Sequence, residues 1–173
     1  MPAISLENER KLTAAQLRSI LDYDPETGIF RWKTPNRKRR PGAKAGWVRA
    51  DGRNLIKVGF TRYLASRLAW LYVYGEWPER LVDHIDRDKA NDAISNLRQA
   101  TSLENNLNAG VRKNHQVGFR NIRKHKKRFV VQFIREGRPV YRESFKLLGD
   151  AVQARNAMLP VICGAFSPSS PDQ

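Results

Sequence analysis

Cysteine is almost missing from this chain: its 173 residues include one, Cys163. A lone thiol excludes an intramolecular disulfide framework and every zinc site built on several thiolates. No structural zinc is therefore expected, and a reducing cytoplasm is the compartment such cysteine usage suits. Long apolar runs are missing too. No stretch approaches the roughly 18 consecutive apolar residues of a membrane span, and residues 1–11 hold no apolar core of a secretory signal. Neither a span nor an export signal is expected. Acidic side chains are in the minority, 17 Asp and Glu against 32 Lys and Arg, which leaves a formal charge of +15 and a pI near 10.5. Such a field selects polyanions. Nucleic acid is the first candidate, an anionic membrane surface the second, and a ribosomal or merely soluble basic protein the plain third. The length fits one ordinary domain or two small ones.

The positive charge is uneven. Residues 1–110 carry 19 basic and 13 acidic side chains, whereas residues 111–173 carry 13 basic and 4 acidic ones. An enzyme that cuts nucleic acid would divide its charge this way, with carboxylates to hold a cation in one part and basic surface to hold phosphates in the other. A basic protein of two unrelated modules would show the same division.

Along the chain, Leu17, Ile20 and Leu21 have helical spacing over residues 13–23, and Thr13 can cap that helix. Asp24-Pro25-Glu26-Thr27-Gly28 reads as a turn and residues 29–33 as a short strand. The run Arg37-Lys38-Arg39-Arg40 reads as a polar loop, either simply solvated or an arm that meets a phosphate backbone. Residues 46–49 and 54–60 form a hairpin around Asp51-Gly52. A helix follows over 64–74, with Thr61 as its cap and Gly75 as its end. The aromatic group Trp70, Tyr72, Tyr74 and Trp77 reads as packing rather than as a base-stacking platform.

The stretch 81–108 carries the chemistry. Leu81-Val82 is a short strand that ends in Asp83-His84; residues 86–95 are turn-forming; Asn96-Leu97-Arg98 starts a returning strand. Thr101-x-x-Glu104 is a capping box, which predicts a helix from Ser102. Asn105 and Asn108, three apart, share a face of that helix. A strand, loop, strand and helix of this length are expected to bring Asp83 and His84 close to the helix's first turns. Hard oxygen donors suit Mg²⁺ or a similar divalent ion. A neutral imidazole can take a proton from water. Together these groups could hydrolyse a phosphodiester, with the base making hydroxide and the cation stabilising the charge at phosphorus and on the leaving oxygen. On chemistry alone, an Asp-His pair beside a loop is more commonly a hydrogen-bonded turn.

The same stretch resembles the HNH endonuclease motif, the ββα-metal fold, and is especially similar to phage-type homing and nicking endonucleases. The likeness rests on Asp83-His84-x-Asp86, a polar loop with Asn, Asn96-Leu97-Arg98, Thr101 and the helical Asn105. It implies His84 as general base, Asp83 and Asn105 as ligands of one divalent metal, Mg²⁺ first and Mn²⁺ second, and Asn96 as the residue that braces the loop and orients the histidine. Asn108 is an alternative ligand. Arg98 would contact the scissile phosphate or pair with an acid of the loop. Where these proteins usually carry His-Arg-Leu upstream, this chain has Ser66-Arg67-Leu68. The resemblance further implies a phage-encoded protein acting in the host cytoplasm.

In the last third, residues 118–123 read as a strand, Lys124-His125-Lys126-Lys127 as a turn, 128–135 as an alternating strand and 140–145 as a third. Ala151, Ala154, Arg155 and Met158 then keep helical spacing up to Pro160. A three-stranded antiparallel sheet backed by one helix follows from this pattern. Residues 117–160 resemble an AP2 DNA-binding domain through Gly118-Phe119-Arg120, Phe129, Tyr141, Phe145 and the Ala-rich helix. A sheet face with Arg120, Arg123 and Gln132 suits a DNA groove, and Tyr141 counts among the contacts the resemblance implies. Lys124, Lys126, Lys127 and Arg128 would supply sequence-independent affinity.

The fold class expected is thus α+β: an HNH module over 1–110, a linker at 111–116, an AP2-like module over 117–160 and a tail at 161–173. The function expected is a metal-dependent endonuclease acting on double-stranded DNA, as monomer or dimer, with no membrane partner. One active site per chain makes a single-strand nick the default. The alternative is a regulator that binds DNA on this scaffold without cutting it.

Overall fold

The computed structural model describes residues 9, 11–35, 40–108, 111, 115–135 and 137–164. They form a mixed α+β chain of small antiparallel sheets and helices. The chain divides into two compact units, Met1–Thr101 and Ser102–Gln173. No helix among the described residues is long and apolar enough to cross a membrane.

The first unit opens with α1 (Ala14–Ile20). Thr13 Oγ1 accepts from the Gln16 N–H at 3.2 Å, and Gln16 Oε1 accepts from the Thr13 N–H at 3.0 Å, a reciprocal cap. The helix stops three residues short of the expected end. Residues 21–24 alternate buried and exposed, and they pair as β1 (Leu21–Asp24) with β2 (Ile29–Trp32). Period two with a partner strand overrides the helical spacing that Leu21 shares with Leu17. The Asp24 carboxylate closes the intervening turn by accepting from Glu26 N and Thr27 Oγ1.

Next come β3 (Trp47–Val48), β4 (Asn54–Val58) and β5 (Thr61–Leu64), hydrogen-bonded in that order. Thr61 does not cap a helix. It pairs with Val58 across a two-residue turn in which Gly59 takes φ +61°, and the helix α2 starts later, at Ala65–Tyr74, with no side-chain cap. Gly75, at φ 84°, ends it by donating to Leu71 O. Leu17, Leu21, Phe30, Ile56, Leu68 and Leu71 make the floor of the unit's core. Trp77 stacks on Tyr63 and donates to Leu12 O, so it is packing, as expected. Arg67, buried on α2, grips both oxygens of buried Glu9 and donates to the carbonyls of Pro78 and Arg80. It thereby ties down the chain entering β6 (Leu81–His84). That strand pairs with β7 (Leu97–Ala100), and the connecting loop ends in a 3-10 turn over Ile94–Asn96.

The second unit starts with α3 (Ser102–Asn108), which begins where the Thr101-x-x-Glu104 spacing predicts. Its sheet has the order β10-β9-β8, with β8 (Ile122–His125), β9 (Arg128–Arg135) and β10 (Arg138–Phe145). The expected strand at 118–123 is shifted. Gly118 and Asn121 take positive φ, and Asn121 exchanges backbone and side-chain bonds with Gln132, so extended pairing starts only at Ile122. α4 (Leu148–Cys163) runs past Pro160 instead of ending there, because buried Cys163 and half-buried Ile162 still pack into the core of Ile122, Val131, Phe133 and Ala151.

Candidate functional site

Strand pairing sets the first part of the site. In the β6–β7 hairpin Asp83 stands directly opposite Arg98, and His84 opposite Leu97. Asp83 and His84 are both buried. Arg98 Nε donates to Asp83 Oδ2 at 2.9 Å. Arg98 thus pairs with the strand aspartate, because cross-strand neighbours lie within side-chain reach.

The loop between the strands is organised by Asn96. Its Oδ1 accepts from the Asp86 N–H at 3.0 Å, and its Nδ2 donates to Asp86 Oδ1 and to Asn91 O, each at 2.9 Å. Its carbonyl accepts from the Ile85 N–H. Partial desolvation pushes the Asp86 carboxyl up. The hydrogen bonds from Asn91, Asn96 and the Asp88 N–H, with the charge of His84, outweigh it and hold the acid below its ordinary range.

The His84 ring is held from a residue to which the sequence reading assigned no role. Its Nε2 lies 3.1 Å from Asp92 Oδ1, and both side chains are buried. A carboxylate only accepts, so Nε2 carries a hydrogen, and in the neutral ring the lone pair is then on Nδ1. Asp92 Oδ2 accepts from Asn54 Nδ2 at 2.8 Å, and Asp92 O accepts from Tyr23 OH at 2.8 Å. Tyr23 is in turn pushed above its ordinary pKa by burial, then by the charges of Asp92 and Asp24. Behind the loop, Ile94 N donates to Pro25 O. Gly28, at φ +71°, sits so close that a Cβ there would lie 2.3 Å from the backbone of Asp92 and Ala93.

Of the other expected ligands, Asn105 is half-buried and Asn108 buried, both on α3 in the second unit. Among the described residues no group of three or more His, Cys, Asp or Glu side chains is arranged to hold a metal ion.

Residues 63–107 match the family model described as HNH endonuclease. This segment is an HNH endonuclease domain. That domain, 45 of the 173 residues, makes the chain an enzyme. The HNH domain takes in α2, the β6–β7 hairpin with its loop, and all but the last residue of α3. Tyr23, Pro25, Gly28 and Asn54, which build the socket around Asp92, lie outside it. Among solved structures the chain is similar to the HNH homing endonuclease I-HmuI, described for its binding and cleavage of DNA, at 19% identity over 84% of this chain and 85% of that one, with a TM-score of 0.40. No curated protein matches the chain.

The expected DNA contacts scatter on the second unit's sheet. Arg123, Arg128 and Gln132 share the face turned away from α4, together with Arg142, which pairs with Gln132. A cavity of about 640 Å³ opens there, with Val130 on its lining among His125, Arg128 and Arg142. Arg128 is tied across to Ser144. Lys126 and Lys127 form the β8–β9 turn, and Arg120 precedes β8. Lys124 pairs with Phe129 and Tyr141 with Phe133, so both share the sheet face of Phe129 and Phe133; Tyr141 packs there and Lys124 is exposed. Tyr141 rests edge-on against Phe133 and donates to Glu143. It is placed for packing, because alternation along β10 sends it to the apolar side. Arg142 lies on the open face with Gln132, and its alternation with Tyr141 along the strand is the sequence signal for that placement. Arg37, Lys38 and Arg39 lie outside the described residues, and Arg40 is exposed.

Proposed function

We propose that the chain is a divalent-metal-dependent DNA endonuclease of nicking or homing type. The observation that carries this reading is the buried His84, fixed through Nε2 with its basic nitrogen at Nδ1, beside the buried carboxylate of Asp83 within the HNH segment. His84 Nδ1 takes a proton from the attacking water as the oxygen closes on phosphorus. By the family resemblance, Asp83 and Asn105 would hold the cation. Two oxygen donors of this kind would suit a hard divalent ion such as Mg²⁺, or Mn²⁺ in its place. When bound, the ion supplies charge stabilisation at the phosphate and the leaving oxygen. Arg98 orients Asp83, and Asn96 keeps the loop closed behind His84.

We further assign residues 117–160 as an AP2-like DNA-binding module that holds double-stranded DNA on the open face of Arg123, Arg128, Gln132 and Arg142. The HNH module spans 1–110, with 111–116 as linker. The formal charge of +15 supports a polyanionic partner. With one such site per chain, a single-strand nick is the expected product.

Supercoiled plasmid tests the reading. Purified chain with Mg²⁺ or Mn²⁺ should convert it to open circle. EDTA and His84→Ala should each abolish conversion, while Asp83→Ala and Asn105→Ala should bind DNA and cut poorly. A chain that retains plasmid but converts none of it with either metal is a non-cutting DNA-binding protein.

A further inference from the structure

We propose that Asp92 is the positioning residue of His84, and that the N-terminal elements β1 and β4 exist in part to hold Asp92 still. The carboxylate has two oxygens, and each has one assigned partner: Oδ1 meets His84 Nε2 and Oδ2 meets Asn54 Nδ2. Asp92 is 1% exposed, so water does not compete for either oxygen. Its main chain is pinned as well, by Tyr23 OH on the carbonyl and by Gly28 packed against the Asp92–Ala93 backbone. A carboxylate held at both oxygens and through its backbone does not follow a rotating ring. It sets the ring instead, and by accepting from Nε2–H it keeps the lone pair on Nδ1. The HNH segment alone does not contain this clamp, because Asn54 and Tyr23 precede it.

The proposal rests on the nuclease reading for the role of His84, and on hydrogen-bond geometry alone for the state of its ring. Two readouts keep these apart. The first is ¹⁵N NMR of the imidazoles in the full chain, with His115 and His125 as internal references. Wild-type His84 should report hydrogen on Nε2. In Asp92→Asn the new amide donates to Nε2, and the hydrogen should move to Nδ1. The second is plasmid cleavage at saturating DNA with Mg²⁺. Asp92→Asn should lower kcat by roughly 10²–10⁴-fold with KM unchanged, the order seen when a carboxylate that fixes a catalytic imidazole becomes an amide. Asn54→Ala should give a smaller fall in kcat, again at constant KM. A purely structural role would lower thermal stability and leave kcat of the folded fraction intact.

A hydrogen that stays on Nε2 in Asp92→Asn, or a kcat equal to wild type, overturns the proposal. Should Asp92→Asn not fold, Asn54→Ala decides by the same kinetic criterion. If the wild-type chain does not cut at all, the nuclease reading fails, and the ring signal still tests the clamp.

Discussion

Replacing Gly28 by alanine probes whether the N-terminal hairpin and the loop of the HNH segment are one packed unit. Gly28 has φ +71°, and a Cβ at this position would lie 2.3 Å from Ala93 N and Asp92 C and 2.8 Å from Asp92 Cα. All three are backbone atoms, so no flexible side chain can yield. Two costs add. The left-handed conformation costs a non-glycine residue about 1–2 kcal/mol. Forcing the loop backbone outward costs about 1–3 kcal/mol, as overpacking does in a core. The expected loss is therefore about 2–5 kcal/mol. Gly42→Ala is the control: its φ is +80° but nothing lies within 4 Å of the added carbon, so it should lose only the backbone component. All four tryptophans, Trp32, Trp47, Trp70 and Trp77, belong to the first unit, so their fluorescence in a urea titration follows that unit's unfolding. A Gly28→Ala chain no less stable than Gly42→Ala would refute the close approach of hairpin and loop. The displaced Asp92 should also slow plasmid cleavage by Gly28→Ala more than by Gly42→Ala.

Two further outcomes are expected, one in each unit. The Asp86 carboxyl is held below its ordinary value of 3.8, so the stability it lends the loop is complete above that pH and is lost as pH falls through its lower folded value; hydrogen exchange of residues 86–96 should rise in that window, and Asp86→Asn should remove the dependence. Changing Arg123, Arg128 and Arg142 together to alanine should weaken DNA binding and flatten its salt dependence, by about 0.9 in the log–log slope for each phosphate that is no longer neutralised; an unchanged slope would take the open sheet face out of the interface.

Much of the site was legible because its signals are local. Asp83 and His84 end a strand whose apolar residues precede them, and Asn96 precedes the returning strand by one position. Capping chemistry placed the starts of α1 and α3, and Gly75 the end of α2. Where local signals conflicted, pairing decided. Leu21 fits a helical stripe but is claimed by Trp32 across the β1–β2 ladder, and Thr61 is a fair cap claimed by Val58. Tyr141 looked like a groove residue until its register with Phe133 put it on the covered face.

Sequence by itself determined the positive field, the alternation of β9, the helix boundaries marked by caps, and the order Asp83, His84, Asn96, Asn105, since each depends on residue type and short spacing. Only the tertiary structure decided what holds the imidazole. Asp92 lies eight residues from His84, Asn54 thirty-eight from Asp92, and Tyr23 sixty-nine. Hydrogen bonds across such separations leave no period in the chain. They form because packed sheets and turns carry the donors to one buried carboxylate, where an unpartnered oxygen would be costly.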